Sequence, residues 1–79
     1  MISTAQVRAA RGLLGWSQSR LADAASVSRA TVNRAEATEG PIGAEAPLVA
    51  ALVKAGIIFV EANGDGPGVR LKKPGKGKR

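Results

Sequence analysis

Arg20, Arg29 and Arg34, together with the amides Gln18 and Asn33, crowd into residues 18–34, among neighbours that are mostly small or apolar. A guanidinium is a flat fork of N–H donors. It fits phosphate oxygens, or the O6 and N7 acceptors on the major-groove edge of guanine. A glutamine amide at a helix start can donate to a phosphate that the free backbone N–H groups and the helix dipole also favour. Ala30, beside Arg29, can touch a thymine methyl or allow close approach. Such groups bind and orient; they do not catalyse. The chain has no cysteine, histidine or tyrosine, which removes thiolate and imidazole metal ligands, a disulfide scaffold and the commonest general acid/base. No carboxylate pair and no serine beside a lysine stands in for them. No catalytic residue, metal or cofactor is expected, and the chain is not read as an enzyme.

Two short helices must position these residues. Ser17 caps the first, which runs to near Ala25, and Ser28 caps the second, which runs to about Glu36. Leu21 and Ala25 face inward on the first, and Ala22 is small where two crossing helices meet. Val27, between the helices, plugs the core. Val32 and Ala35 face inward on the second, which leaves Arg29, Ala30, Asn33 and Arg34 on or near its outer face. This is the layout in which a second helix enters the DNA major groove.

The flanking elements supply the frame. A helix over about Thr4 to Leu14 carries an apolar stripe of Val7, Ala10 and Leu14, with Ser3 or Thr4 as its cap and Gly15 as its stop. Trp16 packs over the core edge. Residues 37–44 read as a loop. A fourth helix spans about Glu45 to Ala55, with Pro47 tolerated in its first turn and Leu48, Ala51, Leu52 and Ala55 on its apolar side. The pattern then changes. Ile57, Ile58, Phe59 and Val60 have the composition of a strand, residues 63–68 are dense in turn formers, and residues 69–72 alternate with period two. They form a β-hairpin or strand pair, which packs on the fourth helix or pairs with the same element of a second copy.

The fold expected is mostly α: a four-helix helix-turn-helix unit at residues 1–56, then a strand pair at 57–72 serving dimerisation through Ile57, Ile58, Phe59 and Val60, then a flexible basic tail at 73–79. With 79 residues the chain buries only a small core, so a homodimer is the prior.

The formal net charge is +6, and its position matters more than its sum. Arg70, Lys72, Lys73, Lys76, Lys78 and Arg79 account for the excess. Among residues 1–36, five arginines against Asp23 and Glu36 leave +3, and that local excess is the more useful signal. The tail either follows the phosphate backbone or a minor groove, or simply keeps the chain soluble. No apolar run approaches the ~20 residues needed to span a bilayer. The first residues lack a charged region followed by an apolar one, so no leader and a cytoplasmic location are expected.

Residues 7–36 resemble the lambda-repressor/Cro helix-turn-helix family, also called the XRE family. The resemblance rests on Arg11-Gly-Leu-Leu-Gly-Trp-Ser-Gln18, Leu21-Ala22, Val27-Ser28, Thr31-Val32 and Glu36. The stretches Ala55-Gly-Ile-Ile-Phe59 and Gly68-Val-Arg-Leu71 also resemble the ends of short bacterial regulators. The resemblance implies a double-stranded DNA partner, with Gln18 clamping a phosphate and Arg29 and Ala30 at the reading end of the recognition helix. Arg34 is then a further base or phosphate contact, and Ser28, Thr31 and Asn33 are backbone-contacting or supporting residues. Arg20, outside that carry-over, is read from its charge as a further DNA-binding residue or else a solvated surface side chain. Arg11 and Glu36 match a pair that ties the first helix to the end of the third. The sequence departs from the family at Ser26, where glycine is usual. A left-handed conformation there costs a non-glycine residue about 1 kcal/mol. The function implied is a transcriptional regulator, a repressor acting as a homodimer on a palindromic operator, which blocks or contacts RNA polymerase. The alternative is an antitoxin that binds both its own promoter and a toxin protein.

Overall fold

A computed structural model describes residues 2–61 and 66–72. The order is β1 (Ile2–Ser3), α1 (Thr4–Leu14), α2 (Gln18–Ala25), α3 (Arg29–Ala37), β2 (Pro41–Ile42), α4 (Pro47–Lys54), β3 (Ile57–Val60) and β4 (Gly68–Leu71). The fold is mostly α with small antiparallel strand pairs. The segment expected as a tail at 73–79, and residues 62–65, part of the stretch expected to turn, lie outside the described residues.

Each helix of the frame starts and stops where local chemistry demands. Ser3 and Gln6 make a reciprocal capping box on α1: Ser3 Oγ accepts from the Gln6 N–H, and Gln6 Oε1 accepts from the Ser3 N–H. Gly15 ends α1 at φ +69°. The fourth helix begins at Pro47 rather than Glu45, because a proline drives the residue before it into extended backbone; Ala46 sits at ψ 141°. That helix keeps Leu48, Val49, Ala51 and Leu52 buried, Val49 being an addition to the expected face.

One core joins all of this. Val7 and Ala10 of α1, Leu21 and Ala22 of α2 and Val32 of α3 meet the buried face of α4 and Ile57 of β3. Trp16, Ala25, Val27 and Ala35 pack around its margin.

The segment after α3 is not simply a loop. Its residues Pro41 and Ile42 pair with Ser3 and Ile2. Buried Thr4 reinforces the join, its hydroxyl donating to the carbonyls of Thr38 (2.8 Å) and Gly40 (3.0 Å). The end of α3 is thereby fastened to the start of α1.

The strands β3 and β4 pair antiparallel, Ile57 opposite Leu71 and Phe59 opposite Val69. Buried Gln6 staples this hairpin to α1 through Nε2, which donates to the carbonyls of Val60 (3.0 Å) and Gly68 (2.9 Å). Alternation divides the strand's side chains. Ile57 is 2% exposed in the chain's own core and Phe59 packs against that core, whereas Ile58 is 42% exposed. The run 57–60 is therefore not a free apolar face: two of its side chains are spent within the chain, and the boundary at residue 56 marks a change of secondary structure, not a second core.

Candidate nucleic-acid interface

Serine starts both helices of the helix-turn-helix. Ser17 Oγ accepts from the Arg20 N–H at 3.0 Å, and Ser28 Oγ accepts from the Thr31 N–H at 3.1 Å. Neither helix has an acid in its first turn. Both exposed starts thus keep the positive end of the helix dipole un-neutralised. The Ser28 hydroxyl also bonds the Thr31 hydroxyl (2.9 Å), so these two side chains secure the front of α3.

The turn between them holds the geometry that glycine usually provides. Ser26 takes φ +59°, ψ 41°, with its N–H bonded to Asp23 O and the Val27 N–H bonded to Ala22 O. The end of α1 repeats this pattern around Gly15, whose N–H bonds Gly12 O while the Trp16 N–H bonds Arg11 O. Both are Schellman closures.

Behind the turn lies a buried ionic node. Glu36, 5% exposed, accepts Arg11 Nε at 2.8 Å and Arg11 Nη2 at 2.9 Å, one hydrogen bond to each carboxylate oxygen. The third arm of the guanidinium donates to Trp16 O at 3.0 Å. Gln18 Nε2 donates to Glu36 Oε1 at 3.1 Å, and Gln18 Oε1 accepts from Asn33 Nδ2 at 3.3 Å. All three helices of the motif meet at this carboxylate. Burial pushes its pKa up, but the hydrogen bonds from Arg11 and Gln18 and the charges of Arg11 and Arg8 outweigh that, and Glu36 is held below the ordinary carboxyl value. The hydrogen bond to Glu36 raises the pKa of Arg11 in turn.

Arg8 completes the brace. Its Nη1 donates to the Glu36 carbonyl at 2.8 Å and its Nη2 pairs with Glu39 at 3.0 Å, placing a cation at the C-terminal end of α3. Sequence reasoning omits this role, although Arg8 stands one turn before Arg11, on the helix face that meets α3.

The outer face is different. Arg29, Ala30, Asn33 and Arg34 are all exposed on α3. No ion pair among the described residues engages Arg29 or Arg34. Arg20, on α2, lies over the Trp16 ring with 5.0 Å from its guanidinium carbon to the ring centroid, a cation–π contact that orients it and that the sequence reading also omits. The structure thus gathers Arg29, Ala30, Asn33 and Arg34 on one face. It draws Gln18 into the Glu36 node, sets Arg20 beside Trp16, and places Ile57–Val60 elsewhere, in the hairpin packed on α1 and α4.

Two capped helices around a tight turn, the second exposing arginines that have no ion pair among the described residues and carrying no acid in its first turn, make a helix-turn-helix. Residues 7–45 match the family model described as Helix-turn-helix. That segment is an XRE-type, lambda-repressor/Cro-like helix-turn-helix, the unit of DNA-binding transcriptional regulators. No curated protein and no solved structure matches the chain. No helix among the described residues is long and apolar enough to cross a membrane.

Proposed function

We propose that the protein is a sequence-specific repressor that binds a palindromic operator as a homodimer and acts by occupying it. The observation that carries this reading is the contrast across α3: its inner edge is tied to α1 and α2 through Glu36, while its outer edge presents Arg29 and Arg34, which have no ionic partner among the described residues. Arg29, at the helix front, reads a guanine edge with two parallel hydrogen bonds. Ala30 lets the helix approach, and Arg34, further along the same exposed face, takes a second base or a phosphate. Gln18 keeps an N–H for a phosphate beside the start of α2, and Arg20 adds charge there.

A single recognition helix covers few base pairs. Two copies related by a two-fold axis place their helices ~34 Å apart in successive major grooves. The hairpin supports such pairing: exposed Ile58 stands on β3, which has no strand neighbour on its other edge among the described residues. The test is selection of bound fragments from random double-stranded DNA. The expected result is an inverted repeat with half-site centres one helical turn, or a multiple of it, apart. Recovery of fragments without any consensus would reject sequence-specific binding; a single unrepeated half-site would reject the dimer.

A further inference from the structure

The chain of side chains running from Arg11 to Asn33 has a direction. An ionised carboxylate only accepts hydrogen bonds. Glu36 therefore fixes Gln18 with its Nε2 turned inward, at 3.1 Å. That leaves Gln18 Oε1 toward α3, where it can only accept, and Asn33 meets it with Nδ2 at 3.3 Å. Every amide in the series is thus oriented by the charge at its buried end. What remains of Asn33 is its Oδ1 acceptor and one N–H, presented on the exposed face of α3 one turn beyond Arg29.

We propose that Asn33 is a specificity-determining residue that selects adenine, with its amide held in reading orientation by Gln18, acting as a positioning residue between it and Glu36. Adenine shows the major groove a donor at N6 beside an acceptor at N7, the complement of one acceptor and one donor. Guanine shows two acceptors, and one of them would face Asn33 Oδ1. Fixing the amide beforehand removes the rotamer freedom that an exposed asparagine otherwise loses on binding. It also keeps Nδ2 from turning to a phosphate, which carries no sequence information. The half-site then reads guanine at Arg29 and adenine at a neighbouring step.

This inference rests on the proposed DNA reading, and one selection experiment separates the two. Wild type, Asn33→Ala and Gln18→Met are each put through random-DNA selection, with thermal melting to establish that each is folded. The wild type is expected to return a consensus with an adenine beside the Arg29 position. Asn33→Ala should lose that preference about ten-fold, the size of one bidentate base contact, while the guanine preference persists. Gln18→Met should weaken the same adenine preference although Asn33 is intact, a change that mere loss of a phosphate contact would not produce. A wild-type consensus that survives Asn33→Ala unchanged overturns the inference and leaves the function standing. Uniformly weaker binding by Gln18→Met, with adenine preference intact, overturns the positioning role. No wild-type consensus overturns both.

Discussion

The arginines of α1 and those of α3 are the same side chain put to opposite uses. Arg11 is 21% exposed at its side chain, bonds both oxygens of buried Glu36 and reaches the Trp16 carbonyl. Arg8 beside it closes the end of α3. Arg29 and Arg34 are exposed and lack an ion pair among the described residues. The difference is set by where the carboxylates stand. Glu36 points back toward α1, and the first turn of α3 contains none. An arginine with a buried acid is spent on holding the frame, and one without is available to an outside anion.

The largest break in this contrast comes from Glu36→Gln. Removing one partner of a buried pair leaves the other uncompensated, which costs about 3–5 kcal/mol. Because Arg11 retains some solvent access, the loss expected is about 3 kcal/mol, read as a lower midpoint in urea denaturation. The pH dependence has a definite sign. The folded Glu36 carboxyl lies below its ordinary value, so its stabilisation is complete above the unfolded carboxyl pKa of about 4.3 and is lost as pH falls through the lower folded value. Glu36→Gln should remove that component of acid destabilisation. An acid limb unchanged by the substitution would mean that the node contributes nothing to stability.

Arg29→Ala sharpens the contrast from the other side. Folding stability should change by no more than about 0.5 kcal/mol, as for an ordinary surface position. Discrimination between the preferred base and its alternatives should fall by about 2 kcal/mol, roughly thirty-fold. Competition binding against single-base variants of the selected operator measures it. A protein that loses stability but keeps its selectivity would assign Arg29 to the frame with Arg11.

Much of this layout is legible in the residues. Ser17 and Ser28 mark their helix starts because capping is local chemistry, and Arg29, Ala30, Asn33 and Arg34 fall outward because Val32 and Ala35 fix the inner face. Ile57 and Phe59 alternate with Ile58, so the burial of the first two follows from period two once the hairpin has a core to face. What escapes is the long-range use of polar side chains. Nothing periodic announces that the Gln6 amide bonds Val60 and Gly68, or that Thr4 holds Gly40. The pairing of Ile2 with Ile42 is too short to leave a pattern. Gln18 reads as a phosphate ligand because its helix position suits one; its bond to Glu36 depends on how three helices cross.

The smallest effect concerns the turn that keeps the two uses of arginine apart. Gly15 and Ser26 close their helices with the same pair of backbone hydrogen bonds and nearly the same dihedral, φ +69° against +59°. Glycine adopts this conformation without steric cost, while serine crowds its Cβ against the following carbonyl. Ser26→Gly should therefore stabilise the fold by about 1 kcal/mol less the entropy that glycine surrenders from the unfolded chain. The net gain is about 0.3 kcal/mol, or about 1–2 °C in Tm for a domain of this size. Base selectivity should not move, because the angle between α2 and α3 is already the one that glycine would give. A gain in stability accompanied by altered selectivity would show that the serine bends the turn, and that the register of Arg29 against the bases depends on that bend.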